Sequence, residues 1–243
     1  MESSDPTNRR QRTGDCTLVI MAKAPKPGMV KTRLAQCVPL PDVTTFYRCL
    51  LDDTLALAQS LGNTEIAIMC PASDVEDLAR LARDVASVVA QTGEGLAAGL
   101  TSVFAYFAGA GRRRVIAFNS DSPHLPASVL EKAFEALATC DVVVGPTYDG
   151  GYYLVGTKAN YPGLFVGDGM GTSNALERLL ERAHSLGLSV RTADVFYDID
   201  VAADLIRLAE ELRVFPSRAP RTAAWLAQWR QAVEQLKPSL GDL

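Results

Sequence analysis

The chain has 243 residues, 48% hydrophobic and 21% charged, and this composition excludes a disordered or fibrous protein. Its 24 Lys and Arg against 28 Asp and Glu give a net charge of −4, which offers no basis for general binding to nucleic acid or to an acidic membrane. The five cysteines form no C-x-x-C pair, so neither a disulfide framework nor a zinc site is indicated, and a cytoplasmic protein is expected. No segment reaches the roughly 20 apolar residues that a membrane helix needs.

Short apolar strands alternate with amphipathic helices along the chain. Strands are predicted at residues 17–22, 65–69, 87–90, 114–119, 141–145, 152–156 and 189–192. Helices are predicted at residues 42–62, after Asp74, and at 96–107, 127–138, 174–186 and 201–214. Asp42 and Asp74 are interpreted as the N-caps of the first two helices. This alternation predicts an α/β fold with a mostly parallel sheet and flanking helices.

The predicted domain organisation has three parts. We expect a flexible arm at residues 1–15, one α/β domain at 16–215 and a helical appendage at 216–243. Trp225 and Trp229 lie four residues apart in the appendage, which predicts that one helical face docks onto the domain.

The loop after the first strand, KAPKPGMVKTRL, is basic in an otherwise acidic chain. It begins at the carboxyl edge of the predicted sheet, where open α/β folds bind ligands. Lys23, Lys31 and Arg33 offer positive charge to phosphate oxygens. Pro25 orders the loop before binding, and Gly28 brings backbone amides to the same edge. The loop therefore predicts a nucleotide phosphate site, with a solvated basic loop as the alternative.

Three aspartates in two later segments are candidate metal ligands. Asp121 follows a strand in the segment SDSPHLP, and Asp198 and Asp200 belong to the segment YDID. Magnesium usually binds one or two protein carboxylates together with phosphate oxygens and water. An extended YDID segment points both its aspartates to the same side. The alternatives are a turn at Asp121 and a helix cap at Asp200, which makes Asp198 the stronger metal candidate.

A fourth segment, GPTYDGGYYLVG, places Asp149, Gly150 and Gly151 between two strands. The glycines let the backbone approach a ligand closely, and Asp149 is a candidate general base. A plain Asp-Gly hairpin turn is the alternative.

In this order, the four segments resemble the glycosyltransferase A-like family of nucleotide-diphospho-sugar transferase fold, often described as a domain of unknown function. Its members carry K-x-P-x-P-G-x-x-K-T-R-L, S-D-S-P, D-G-G-Y-Y-L and D-x-D, and the match runs from about Val19 to Leu208. The shorter motif A-K-T-R-L is distantly similar to the phospholactate guanylyltransferases, and this similarity implies nucleotide binding at Lys31 and Arg33. The resemblance implies a Rossmann-like nucleotide-diphospho-sugar transferase architecture, with Asp121 beside the nucleotide.

The chain departs from the family pattern in two places. Gly99 stands where the family has an arginine, so a phosphate or acceptor contact is expected to be missing. The family's W-S-T segment reads Met170, Gly171, Thr172, which changes the expected acceptor recognition.

Three functions remain open at this point. The favoured one is a Mg²⁺ (or Mn²⁺)-dependent nucleotidyltransferase that acts on a small phosphorylated acceptor and releases pyrophosphate, because the cationic loop suits a triphosphate. The second is a glycosyltransferase that uses a nucleotide-sugar donor, with Asp149 as base. The third is an inactive nucleotide-binding protein. The expected partners are a nucleotide or nucleotide-sugar and a small-molecule acceptor, and a homodimer stays open.

Overall fold

The computed structural model describes residues 15–166, 173–229 and 233. Seven strands are present in this part of the chain: β1 (Cys16–Met21), β2 (Thr64–Cys70), β3 (Ser87–Ala90), β4 (Arg114–Asn119), β5 (Val142–Pro146), β6 (Tyr152–Thr157) and β7 (Val190–Thr192). The α-helices are α1 (Leu40–Ser60), α2 (Val75–Leu81), α3 (Gly95–Gly109), α4 (Ala127–Ala136), α5 (Ala175–Ser185), α6 (Ala202–Val214) and α7 (Pro220–Gln228). The bounds of β3 and β4 are those predicted from the sequence.

The seven strands form one sheet in the order β3-β2-β1-β4-β6-β5-β7. All neighbouring strands are parallel except at β6, which runs antiparallel to both β4 and β5. Since β4 and β5 both oppose β6, they are parallel to each other, and their carboxyl ends share one edge with that of β1. The prediction of a mostly parallel sheet with flanking helices is confirmed.

Helices cover both faces of the sheet and bury β1 completely in its middle. Leu18 and Ile20 pack with side chains of α1, α2 and α4 on one face, whereas Val19 packs with side chains of α3 and α5 on the other. All three residues are fully buried. This two-sided burial explains why β1 is an unbroken apolar run rather than an alternating one.

The last helix, α7, packs against α1 and α6. The Trp225 ring lies 4.7 Å from the Phe46 ring, and Trp229 stacks on Trp225. At the start of α7, the buried Asp53 carboxylate of α1 accepts hydrogen bonds from the backbone N–H groups of Thr222 (2.8 Å) and Arg221 (3.2 Å). The predicted docking of this helix is confirmed, and Asp53 supplies the cap that the helix's own sequence lacks.

Two of the predicted helix caps are wrong. Helix α1 begins at Leu40, so Asp42 lies in its first turn, where its charge suits the positive end of the helix dipole. Asp74 precedes α2, but its side chain makes no cap hydrogen bond. Its carboxylate instead accepts hydrogen bonds from the backbone N–H of Ala24 and from Lys26 Nζ, both 2.9 Å away.

The arm predicted at residues 1–15 lies outside the described residues except for Asp15. Residues 170–172 and most of the appendage after residue 229 also lie outside them. In the described part of the chain, no helix is long and apolar enough to cross a membrane.

Candidate nucleotide and metal site

All four motif segments meet at the carboxyl edge of the sheet. The cationic loop leaves β1, the turn with Asp121 leaves β4, and the 147–151 connection joins β5 to β6. The YDID segment is held beside the Asp121 turn, because the Ile199 backbone N–H donates to the Asp121 carbonyl at 3.3 Å. Ser122 Oγ also donates to the Tyr197 carbonyl at 3.0 Å. Open α/β sheets bind their ligands at this edge.

Lys31 lies at the centre of the cluster. Its Nζ is 2.9 Å from Asp121 Oδ2 and 2.9 Å from Asp200 Oδ1, and only 4% of its side chain is exposed. Burial alone would lower the pKa of Lys31, but the two carboxylates outweigh burial and raise it. The residue therefore carries a permanent positive charge inside the site.

Asp200 pairs with two of the three basic residues predicted to bind phosphate, Lys31 and Arg33. Besides the contact with Lys31, Arg33 Nη1 lies 3.4 Å from Asp200 Oδ2. Burial alone would raise the pKa of Asp200, yet Lys31 and Arg33 hold it below its usual value. The interpretation of Asp200 as a helix cap is wrong, because Val201 is the N-cap residue of α6 and the Asp200 carboxylate pairs with Lys31 and Arg33. Asp204 accepts hydrogen bonds from the backbone N–H groups of Asp200 and Val201, each at 2.9 Å.

Asp198 lies close to the other two aspartates but makes no ion pair within the described residues. Burial raises its pKa to about 6, and the nearby charges of Asp121 and Asp200 add to the rise, while Lys31 opposes it. The three candidate metal ligands are therefore near enough to repel one another. A divalent cation would relieve this repulsion.

The donor set fits magnesium in its chemistry, since carboxylate oxygens are the ligands that this hard cation prefers. Within the described residues, no group of three or more His, Cys, Asp or Glu side chains is arranged to hold a metal ion as it stands. Lys31 occupies oxygens of Asp121 and Asp200 instead. Two carboxylates and substrate phosphates are the usual magnesium environment, so Asp121 and Asp198 are the residues that would hold the ion.

The backbone at the start of the cationic loop is hydrogen-bonded to the rest of the protein. The Lys23 side chain is exposed. The Lys23 backbone N–H donates to the Tyr47 hydroxyl at 3.2 Å, and this hydroxyl also lies 3.0 Å from Ser120 Oγ. Gly28 has φ +73°, a left-handed conformation that favours glycine. Pro25, which lies between Lys23 and Gly28 in the sequence, is half-buried.

Lys26 is the basic residue of the loop that turns away from the site. Its Nζ is 2.9 Å from Asp74 and 3.0 Å from Asp77, so it fastens the loop to α2. The sequence indicates excess positive charge here, but it does not distinguish Lys26 from Lys31. Only the fold shows which ammonium group faces which carboxylates.

The 147–151 connection is shaped by its own hydrogen bonds. Asp149 Oδ1 accepts from Thr147 Oγ1 at 2.5 Å and from the Gly151 backbone N–H at 3.2 Å. Gly150 has φ +86°, and a Cβ there would lie 1.9 Å from the Ser173 carbonyl oxygen. The close backbone approach expected at Gly150 is therefore to Ser173 of the same chain.

A cation–π contact that the sequence did not reveal joins this connection to the YDID segment. The Arg207 guanidinium on α6 lies 3.8 Å from the centre of the Tyr197 ring and 5.1 Å from that of Tyr148. The two tyrosines come from parts of the chain 49 positions apart, so no local pattern could have indicated the contact.

Gly99 lies in α3, under the loop that follows β3. A Cβ there would lie 2.9 Å from both Gln91 Oε1 and Met21 Cε. The ends of the Gln91 and Met21 side chains therefore lie against the position where the resemblance places an arginine, and the loss of a phosphate or acceptor contact there stays a prediction.

Several solved structures share this architecture. The structure of a provisionally assigned nucleotide-diphospho-sugar transferase from Desulfovibrio desulfuricans matches with a TM-score of 0.85 and 26% identity, covering 91% of this chain and 98% of that one. The 4-diphosphocytidyl-2C-methyl-D-erythritol synthase of Anaerococcus prevotii matches with a TM-score of 0.55 and 12% identity, covering 82% and 96%. A cytidylyltransferase from Leptospira borgpetersenii matches with a TM-score of 0.52 and 11% identity, covering 90% and 94%. No curated protein sequence matches the chain.

The chain has the nucleotide-diphospho-sugar transferase fold, as the resemblance implied. Residues 54–172 match the model of the family described as "Uncharacterized protein conserved in bacteria" (DUF2064). The similarity to phospholactate guanylyltransferases stays a prediction.

Proposed function

We propose that the protein is a magnesium- or manganese-dependent nucleotidyltransferase that transfers a nucleotidyl group from a nucleoside triphosphate to a small phosphorylated acceptor. The observation that carries this proposal is the buried ammonium of Lys31 among Asp121, Asp198 and Asp200 at the carboxyl edge of the sheet. The cytidylyl transferases named above share the fold and support the same reaction class.

In this proposal, Lys31 and Arg33 bind the phosphates of the nucleotide. Lysine supplies a compact charge, and arginine supplies a planar fork that matches phosphate oxygens. Asp121 and Asp198 would hold the cation, which neutralises charge on the phosphates when bound. Lys23 is exposed at the start of the loop, where its positive charge would stabilise the leaving pyrophosphate.

A phosphorylated acceptor makes a general base unnecessary, because a phosphate nucleophile is already ionised at neutral pH. The contacts of Asp149 favour this reading. One of its carboxylate oxygens accepts hydrogen bonds from Thr147 Oγ1 and from the Gly151 backbone N–H, so Asp149 has a structural role in the loop. Catalysis then rests on positioning and on charge neutralisation.

Glycosyl transfer is the second candidate function, favoured by the description of the Desulfovibrio structure as a nucleotide-diphospho-sugar transferase. An inverting reaction of this kind needs a carboxylate to deprotonate the acceptor hydroxyl, and Asp149 is the available group.

Product analysis separates the two reactions. The protein is incubated with Mg²⁺ and either the four nucleoside triphosphates plus a pool of small phosphorylated acceptors, or nucleotide-sugars plus a pool of acceptor alcohols. We expect pyrophosphate in the first reaction, no nucleoside diphosphate in the second, and an active Asp149→Asn variant. Nucleoside diphosphate release that falls on the order of a hundredfold in Asp149→Asn would instead support glycosyl transfer.

A binding measurement tests the phosphate site independently of turnover. The double replacement Lys31→Ala and Arg33→Ala should weaken nucleotide binding, because each charge-assisted hydrogen bond contributes about 1.5–3 kcal/mol. Lys26→Ala is the matched control, since it removes a charge from the same loop but faces Asp74 and Asp77. Equal nucleotide affinities in all three proteins would contradict the assignment.

A further inference from the structure

The Lys31 ammonium lies between Asp200 and Asp121, and Asp121 is one of the two carboxylates that the proposed function assigns to metal binding. Its Nζ contacts Asp121 Oδ2 and Asp200 Oδ1 at the same distance, 2.9 Å. Magnesium would need oxygens of this cluster at about 2.0–2.1 Å. A cation on Asp121 Oδ2 would meet the ammonium group at close range, and the two positive charges would repel. Metal and Lys31 therefore compete for Asp121 Oδ2.

The Lys31 side chain is fixed by contacts with distant parts of the chain. The side chain is 4% exposed, and its two partners lie 90 and 169 positions away in the sequence, on the turn after β4 and just before α6. The Lys31 backbone has φ +48°, in the left-handed region that non-glycine residues rarely adopt. Such a conformation persists only where the surroundings fix it. The Lys31 carbonyl accepts a hydrogen bond from the Ala35 backbone N–H at 3.2 Å, and the ion pairs with Asp121 and Asp200 fix its side chain.

We propose that Lys31 is an internal counter-ion that excludes a divalent cation from the carboxylate cluster until nucleotide phosphates draw its ammonium away. This inference rests on the proposed function and adds a binding order to it. Phosphate oxygens give the lysine new partners, and its flexible four-carbon chain allows the movement. The metal and the nucleotide then bind as a pair, and each raises the affinity for the other by the same factor.

Metal binding without nucleotide tests this arrangement directly. Mn²⁺ is titrated into the full chain and followed by the loss of the free-ion electron paramagnetic resonance signal. Lys31→Met, which keeps the length of the side chain but removes the charge, should bind Mn²⁺ at least fivefold more tightly than the wild type, at the lower end of typical coupling between two ligands. Lys26→Met removes an equal charge from the same loop and should match the wild type, because Lys26 Nζ contacts Asp74, Asp77 and the Ser73 carbonyl rather than the carboxylate cluster.

Thermal unfolding of the same samples distinguishes a change in Mn²⁺ binding from a folding defect in the variant. Mn²⁺ should raise the Tm of Lys31→Met more than that of the wild type, even if the variant starts from a lower Tm. Lys31→Gln, which retains a hydrogen-bond donor, is the second variant and should show the same gain. Equal or weaker Mn²⁺ binding by both Lys31 variants would overturn the inference, and the proposed function would stand if the wild type binds the ion. Failure of every protein to bind Mn²⁺, with or without CTP or GTP, would overturn both.

Discussion

Replacing Asp198 with Asn should stabilise the metal-free protein at pH 8. Its pKa is raised from 3.8 to about 6 by burial and by the charges of Asp121 and Asp200, so the ionised carboxylate is unfavourable in the folded state. The difference corresponds to about 3 kcal/mol. Asn removes the charge and keeps the shape. The neighbouring Asp200→Asn should do the opposite, because Lys31 and Arg33 stabilise the ionised form of Asp200.

The effect of Asp198→Asn on the free energy of unfolding should depend on pH. Between about pH 4 and pH 6 the folded protein retains the Asp198 proton that the unfolded chain has released, so this group lowers stability as pH rises. The advantage of Asp198→Asn should therefore be absent near pH 4, grow to pH 6 and stay constant above it. The pKa of buried His124 is lowered to about 3 in both proteins, so its contribution cancels in the difference.

Urea unfolding in EDTA at pH 4.5 and pH 8 measures this difference for the wild type and both variants. The reasoning is refuted if Asp198→Asn gains no stability at pH 8, or if its gain is as large at pH 4.5. A stabilising effect of Asp200→Asn would also contradict it, since the two aspartates lie in opposite electrostatic environments.

Two further predictions concern packing around the site. Asp53→Ala should destabilise the docking of α7 by about 2–4 kcal/mol, because two backbone N–H groups lose their buried acceptor. The chain's only tryptophans, Trp225 and Trp229, belong to this docked segment, so a red shift of tryptophan emission at low urea would report its release, and an unchanged emission transition would contradict the role of Asp53. Gly150→Ala should lower the Tm, because its Cβ would lie 1.9 Å from the Ser173 carbonyl oxygen, and an unchanged Tm would show that the loop adapts freely.

The sequence predicted the strands well because buried parallel strands are short apolar runs between turn residues. It placed the four motifs correctly at the ends of strands, so the edge at which they meet followed from the alternation of elements. The position of β6 between β4 and β5 did not follow, since a local pattern carries no information about pairing partners.

The contacts within the site were beyond the reach of the sequence. Lys31 and Asp200 are 169 positions apart, and only the folded sheet brings them together. The capping interpretation of Asp200 is wrong because Val201 is the N-cap residue of α6, and the Asp200 carboxylate pairs with Lys31 and Arg33 instead. Lys26 resembled Lys31 in the sequence, yet its partners lie on α2.

The most direct test of the account is a crystal structure of the wild-type protein with Mn²⁺ and a nucleoside triphosphate, using the anomalous signal of manganese to locate the ion. The account predicts one manganese ion on Asp121 and Asp198, with phosphate oxygens completing its shell. Lys31 Nζ should have left Asp121 and Asp200 for a phosphate oxygen. Manganese and nucleotide bound away from this edge, or a bound nucleotide with Lys31 still bridging Asp121 and Asp200, would contradict the account.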